Sequence, residues 1–113
     1  MTTNDVLMHH LTAFGNNDLV EILKDYTEES ELLTPNGPLK GLEAIKGFFE
    51  DYFAVIPTGS AFEMKQLSVT GPVAYVAWTS ESATFTFPIG TDTFFIQDEK
   101  IVYHTVADYR IAR

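Results

Sequence analysis

An α+β domain, helices first and a curved antiparallel sheet afterwards, is predicted by two contrasting halves of the chain. Up to Gly59 the apolar residues recur at helical spacing with turn residues between the runs; beyond it, segments rich in Val, Ile, Thr and aromatics follow one another. A length of 113 residues, with no Pro/Gly/Ser-rich linker and no internal repeat, confines both halves to one domain around one core.

The elements follow in order. Val6, Leu7, Leu11 and Phe14 lie along one side of a helix over residues 5–14, with Gly15 expected at its C-cap. Asp18 followed by Glu21 resembles a capping box, and Leu19, Ile22, Leu23 and Tyr26 recur at i, i+3, i+4 and i+7, which predicts a short second helix over residues 18–25. Residues 31–34 read as a strand, Pro35-Asn36-Gly37 as a turn, and Leu39 and Lys40 as its brief return. Leu42, Ile45, Phe49, Phe53 and Ile56 then keep helical spacing until Pro57-Thr58-Gly59 stops them. Strands are predicted over residues 62–69, 73–80, 83–88, 91–97 and 100–109. Gly71-Pro72, Pro88-Ile89-Gly90 and Asp98-Glu99 supply the breaks, the middle one also readable as a bulge that bends a long strand. The acidic run Thr27 to Glu31 reads as a solvated loop.

Composition narrows the partners. Seven Lys and Arg against 16 Asp and Glu give a formal charge of −9, a field that repels phosphate backbones and anionic lipid, so nucleic acid and membranes are not expected partners. Absence of cysteine removes disulfides, thiol nucleophiles and thiolate metal sites, and fits a reducing cytoplasm. No apolar run approaches the ~20 residues of a membrane helix, and the first residues lack a basic signal-peptide region, so a soluble intracellular protein is expected. His9, His10 and His104 show no ligand spacing, and no metal or cofactor is expected.

The pieces FGNND, LKDYTEES, LLTPNGPLKG, GLEAIKGFFEDYF and DEKIVYH, in this order and spacing over nearly the whole chain, resemble the nuclear-transport-factor-2-like superfamily, in particular its SnoaL-like polyketide cyclase and ketosteroid isomerase branches. The resemblance implies a cystatin-like cone: a curved antiparallel sheet wrapped around the N-terminal helices, closed on a mostly apolar cavity, and commonly a homodimer formed through the sheet. Such a cavity suits a small hydrophobic molecule held by a few polar groups, and function has to be argued from those groups because the fold hosts many chemistries.

By that resemblance, the isomerase's phenolic oxyanion donor falls on His10 and its acid on Asp92, an acid that in the isomerase stays protonated in an apolar site and donates to the developing enolate. An Asp flanked by Thr91, Thr93, Phe94 and Phe95 must find partners or shift its pKa upward, unless it is solvated at the Gly90 bend. The isomerase's general base falls on Thr34, whose hydroxyl has no accessible basic form near neutral pH, so that mechanism does not transfer as it stands. SnoaL-like cyclases and epoxide hydrolases carry an acid on the last strand, in a pattern such as GKIVEHxxYxD. Here DEKIVYHTVADYR places Asp108 one residue ahead of that position, which holds Tyr109, and Gly90 stands where the epoxide hydrolase pattern has an Arg. Strand alternation groups His104 with Asp108 on one face and Tyr103 with Tyr109 on the other; His104 and Asp108 are ~13 Å apart, too far to form a dyad.

Asp92 and His10 are thus the candidate catalytic residues, and Tyr26, Thr34, Phe53, Trp78, His104, Asp108 and Tyr109 the candidate ligand contacts. Two functions are open: acid/base isomerisation, cyclisation or dehydration of a small hydrophobic carbonyl or hydroxyl compound, or a non-catalytic ligand-binding or dimeric interaction module that keeps the cone without the base.

Overall fold

Thr2 starts the first helix with a capping box. Its hydroxyl accepts from the Asp5 amide, while the Asp5 carboxylate accepts from the Thr2 amide, in a computed structural model that describes residues 1–113. Helix α1 (Thr3–Gly15) buries Val6, Leu7, His10 and Ala13. Gly15 belongs to its last turn rather than to its cap, which corrects the expectation from sequence. The left-handed residue is Asn17 (φ 50°), one of the few non-glycine types that tolerate this conformation. Its side chain donates to the Phe14 and Ile56 carbonyls and accepts from the Thr58 amide, so it ties the end of α1 to the loop after the third helix.

Asp18 caps α2 (Leu19–Leu23) by accepting from the Glu21 amide. Only half of a capping box forms, because the Glu21 carboxylate reaches Lys24 and His9 instead. Strands β1 (Glu31–Thr34) and β2 (Gly37–Lys40) form a hairpin that leads into α3 (Leu42–Val55). The α3 N-cap is Gly41, which has no side chain to offer, and Glu28 supplies the missing acceptor to the Leu42 amide at 3.1 Å. One carboxylate of the acidic run therefore caps a helix from a distance, a role its local sequence does not show.

The second half is β3 (Ala61–Thr70), β4 (Val73–Glu81), β5 (Phe85–Gln97) and β6 (Lys100–Ala112) in one six-stranded sheet of order β2-β1-β6-β5-β4-β3. Two-residue turns join β3 to β4 through Gly71 (φ 55°) and Pro72, and β5 to β6 through Asp98 and Glu99 (φ 52° and 64°), the positive-φ geometry that matches strand twist in hairpins. Residues 83–88 and 91–97 are not two strands. They form the single β5, and Pro88-Ile89-Gly90 is where register shifts against both neighbours, a bulge that bends the strand and tolerates a proline. One pairing departs from the antiparallel expectation: β1 runs parallel to β6, so the sheet is mixed.

Helix α1 crosses β4 and β5, and the concave face of the sheet beneath the helices carries the core. Cross-strand register fixes what points inward: Val76, Asp92 and Val106 form one row, Ala74, Phe94 and His104 the next, and Trp78, Gly90 and Asp108 the row at the bulge. Val73, Tyr75, Tyr103 and Tyr109 point to the opposite face and are 37–61% exposed. No helix is long and apolar enough to cross a membrane.

Candidate functional site

The row assignments bring Asp92, on β5, within reach of two neighbouring strands. Its Oδ1 accepts from Trp78 Nε1 on β4 at 2.8 Å, and its Oδ2 lies 2.7 Å from His104 Nε2 on β6. The other His104 nitrogen, Nδ1, is 2.8 Å from the hydroxyl of Tyr26, which follows α2. One proton arrangement satisfies every donor: Tyr26 donates to Nδ1 of a neutral His104, whose Nε2–H donates to the Asp92 carboxylate. Were His104 to carry both protons, the Tyr26 hydroxyl, 3% exposed, would keep a hydrogen with no acceptor. Burial, with the Asp92 and Asp25 charges adding to it, raises the Tyr26 pKa well above its usual value, so the phenol stays protonated as this arrangement requires.

Backbone shape seats these groups. A Cβ on Gly90 would fall 2.2 Å from Trp78 Cζ2; the indole can lie flat across the bulge only because no side chain is there. Phe94 stacks on the His104 ring at 4.3 Å between centroids, and the His10 ring meets it edge-on at 5.7 Å.

Asp92, Trp78 and His10 all line an inner cavity whose other walls are apolar, among them Leu11, Phe14, Phe49, Tyr52, Phe62 and Met64. Its volume is about 30 Å³, room for about two water molecules and not for an organic ring. His10 is 3% exposed and its Nδ1 is enclosed without a hydrogen-bond partner. Desolvation first, then the neighbouring His104 and His9, hold its pKa well below the usual histidine value, so the ring is neutral: one N–H donor and one acceptor. His10 is the one polar group at this cavity whose hydrogen bonding is incomplete.

Several predicted contacts lie elsewhere. Thr34 donates its hydroxyl to the Gly37 carbonyl and accepts from the Asn36 amide, so it holds the β1–β2 turn and lines an outer groove of about 730 Å³ instead of the inner cavity. Tyr109, 61% exposed, faces away from the concave side and borders the same groove. Phe53 packs against Phe14 and Phe49 behind the cavity wall. Its place on α3 is taken by Tyr52, because residues three and four after Phe49 fall on the same side of a helix and periodicity alone does not choose between them.

Asp108 sits on the inward face with His104, but belongs to a separate cluster. It accepts a 2.5 Å hydrogen bond from Tyr52 and a bidentate pair from Arg110 at 2.9 and 2.8 Å. Arg110 in turn lies over the Tyr52, Phe85 and Phe87 rings. Burial alone would raise the Asp108 pKa; the bonds from Arg110 and Tyr52 outweigh it and hold the carboxyl below its usual range. Phe48 and Tyr52 are shared by the inner cavity and the outer groove, and the bond to Asp108 holds Tyr52 in the wall between them. Sequence reading missed Tyr52, Phe62, Met64 and Arg110. The first was within reach of the α3 period; the others needed the strand register.

His9, beside His10, points to the other side of α1. It is clamped between Asp25, 2.8 Å from Nδ1, and Glu21, 3.0 Å from Nε2. Hydrogen bonds donated to Glu21, and then to Asp25, raise its pKa. The Asp25 pKa also rises, because its burial outweighs the pull of His9. No three His, Asp or Glu side chains converge as a metal site.

A profile of the SnoaL-like domain matches residues 7–104. A search of curated protein sequences finds no match. Among solved structures, a nuclear-transport-factor-2-like protein of unknown function from Cytophaga hutchinsonii superposes with a TM-score of 0.77 at 14% identity, over 96% of this chain and 91% of that one. A candidate ketosteroid isomerase from Kribbella flavida gives 0.79 at 14% identity, over 98% and 80%. A candidate polyketide cyclase from Sinorhizobium meliloti gives 0.73 at 17% identity, over 91% and 94%. At these identities the likeness is one of fold.

Proposed function

Because the chain belongs to the SnoaL-like domain family, with His10, Trp78 and Asp92 as polar groups lining a mostly apolar cavity, we propose that it moves a proton on a small hydrophobic carbonyl compound. The observation that carries this is the Asp92 carboxylate, held by Trp78 and His104 and bordering the same cavity as the neutral, incompletely bonded His10.

In the proposed reaction Asp92 removes a proton from the carbon next to the carbonyl. The C–H electron pair becomes the new C=C bond, and the carbonyl π electrons move onto oxygen, which His10 stabilises through its N–H. With a β,γ-unsaturated carbonyl, return of the proton from Asp92 to the γ-carbon shifts the double bond to the α,β position as the oxygen electron pair re-forms the carbonyl, an isomerisation with no net redox change; with a saturated ketone the proton returns to the α-carbon and only exchange results. Trp78 and His104 each donate to Asp92 and so fix its orientation; Tyr26 holds the His104 tautomer that makes this possible. Asp92 would act as base, a role the family resemblance assigns to the position of Thr34, whose hydroxyl is held by its turn.

The test is proton exchange. Small enolisable ketones and β,γ-enones incubated in D2O are expected to take up deuterium at the α-carbon, followed by proton NMR. Asp92→Asn is expected to slow this by roughly 10²- to 10⁴-fold. Equal rates in the two proteins would remove Asp92 from the chemistry.

A second reading, a non-catalytic small-ligand module, is favoured by one observation: both Asp92 oxygens already accept a hydrogen bond. It predicts ligand binding without exchange. Under either reading we propose a cytoplasmic homodimer formed through the outer face of the sheet, where Val73, Tyr75, Tyr103 and Tyr109 are exposed. Light scattering that finds only monomer at micromolar concentration would overturn the dimer.

A further inference from the structure

The inner cavity is too small for the compound it is proposed to hold, since small-molecule sites commonly enclose roughly 300–1,000 Å³. A second hollow of about 300 Å³ adjoins it, between the end of α1 and the loop over Pro57, Gly59 and Ser60. Leu11, Phe14, Phe62 and Met64 line both spaces, so these side chains form the partition between them.

No side-chain hydrogen bond ties the partition. Its members are apolar and form no side-chain hydrogen bonds, and Phe62 is 41% exposed at the sheet edge, where it lies over the Trp78 indole at 5.3 Å. The opposite wall, toward the outer groove, is Phe48 and Tyr52: moving Tyr52 means breaking its bond to Asp108 and disturbing the Arg110 clamp, and Phe48 is packed against the Phe49 and Tyr52 rings at 5.2 and 5.0 Å. A swing of Phe62 and Met64 is therefore the less costly way to enlarge the site.

We infer that the inner cavity and this vestibule form one two-chamber site, gated by Phe62 and Met64, for an uncharged molecule with a single carbonyl head and an unbranched apolar tail. The head occupies the inner chamber against His10, and the tail passes the gate into the vestibule beside Ser60. An anionic head is disfavoured by Asp92 and by the −9 net charge. Only the choice of a ketone as head rests on the proton-transfer reading; the two-chamber shape rests on the shared walls and on His10.

The 2-alkanones from 2-pentanone to 2-undecanone test it, with binding read by emission of Trp78, the chain's one tryptophan, and checked by amide NMR shifts. On wild-type protein, Kd is expected to fall about fourfold per added methylene over the middle of the series, as each CH2 enters the vestibule. Ser60→Leu, which fills the vestibule without adding a second tryptophan, is expected to flatten that dependence while leaving 2-pentanone affinity within about twofold. A flat series on wild type, an unchanged slope in Ser60→Leu, or no binding of any member up to its solubility overturns the two-chamber site. Should Ser60→Leu fail to fold, NMR shift changes at Gly59 and Ser60 with 2-undecanone but not with 2-pentanone serve in its place, and their absence overturns the proposal. Length-dependent binding without α-deuteration would sink the reaction and leave the site standing; Asp92-dependent deuteration without length dependence would do the reverse.

Discussion

Replacing Tyr26 by phenylalanine asks where the interior keeps its protons. The change removes one oxygen from a side chain 3% exposed and leaves His104, 1% exposed, without its 2.8 Å partner at Nδ1. If His104 is neutral with its proton on Nε2, the loss strands an acceptor, and an unsatisfied buried polar group costs roughly 1–3 kcal/mol. The lower half of that range is expected, because the phenyl ring still fills the space. If His104 instead carried both protons, Tyr26→Phe would strand a charged donor, at a cost of more than about 3 kcal/mol. With an unfolding entropy of roughly 2.1 cal/mol/K per residue, each 1 kcal/mol shifts Tm by about 4 °C in a chain of this length. Thermal melts should therefore show a fall of about 4–8 °C, with urea melts of unchanged m-value. A fall beyond about 13 °C would refute the neutral arrangement, and a fall under about 2 °C would refute the hydrogen bond.

Other expectations follow from the same geometry. Gly90→Ala pushes a methyl into the Trp78 indole and should cost about 1–3 kcal/mol by overpacking; a red-shifted tryptophan emission would report the ring leaving its seat, and unchanged emission would contradict the contact. Tyr52→Phe leaves Asp108 with both Arg110 bonds, so it should destabilise by only about 0.5–1.5 kcal/mol in urea melts. The raised pKa of His9 means that its contribution to stability is complete below the ordinary histidine value and is lost as pH rises through the raised one. Tm should decline across that window in wild type and stay flatter in His9→Gln, and parallel profiles would rule the clamp out. The lowered pKa of Asp108 acts at the other end: its contribution is present above the ordinary carboxylate value and fades as pH falls through the lowered one, an acid loss that Asp108→Asn should remove.

At the candidate site residues the sequence shows the residue and the structure its partners. Asp92 is visible in the sequence as a carboxylate in an apolar strand, but its partners Trp78 and His104 come from strands 14 and 12 residues away, and only register brings them to one row. His10 is legible on the edge of an apolar helix stripe; its lack of a partner depends on Phe49, Phe94 and His104 closing around it. Thr34 stands at a position of family interest and holds a turn, through a local hydroxyl-to-backbone bond at which its neighbours Asn36 and Gly37 already hint.

What depends on near neighbours is readable from the chain alone: helix spacing, the two-residue hairpins, the bulge at Pro88-Ile89-Gly90 and the shared face of His104 and Asp108. These follow from backbone sterics and short periods, which a linear string carries intact. Folding in three dimensions was needed to set β1 parallel to β6, to make Glu28 the cap of α3, to give the cavity wall to Tyr52 and not Phe53, and to join Asp92, His104 and Tyr26 in one hydrogen-bonded line. Each of these is a meeting of residues far apart in the chain, fixed by how the sheet curls and where the helices settle on it, and no local preference encodes such a meeting.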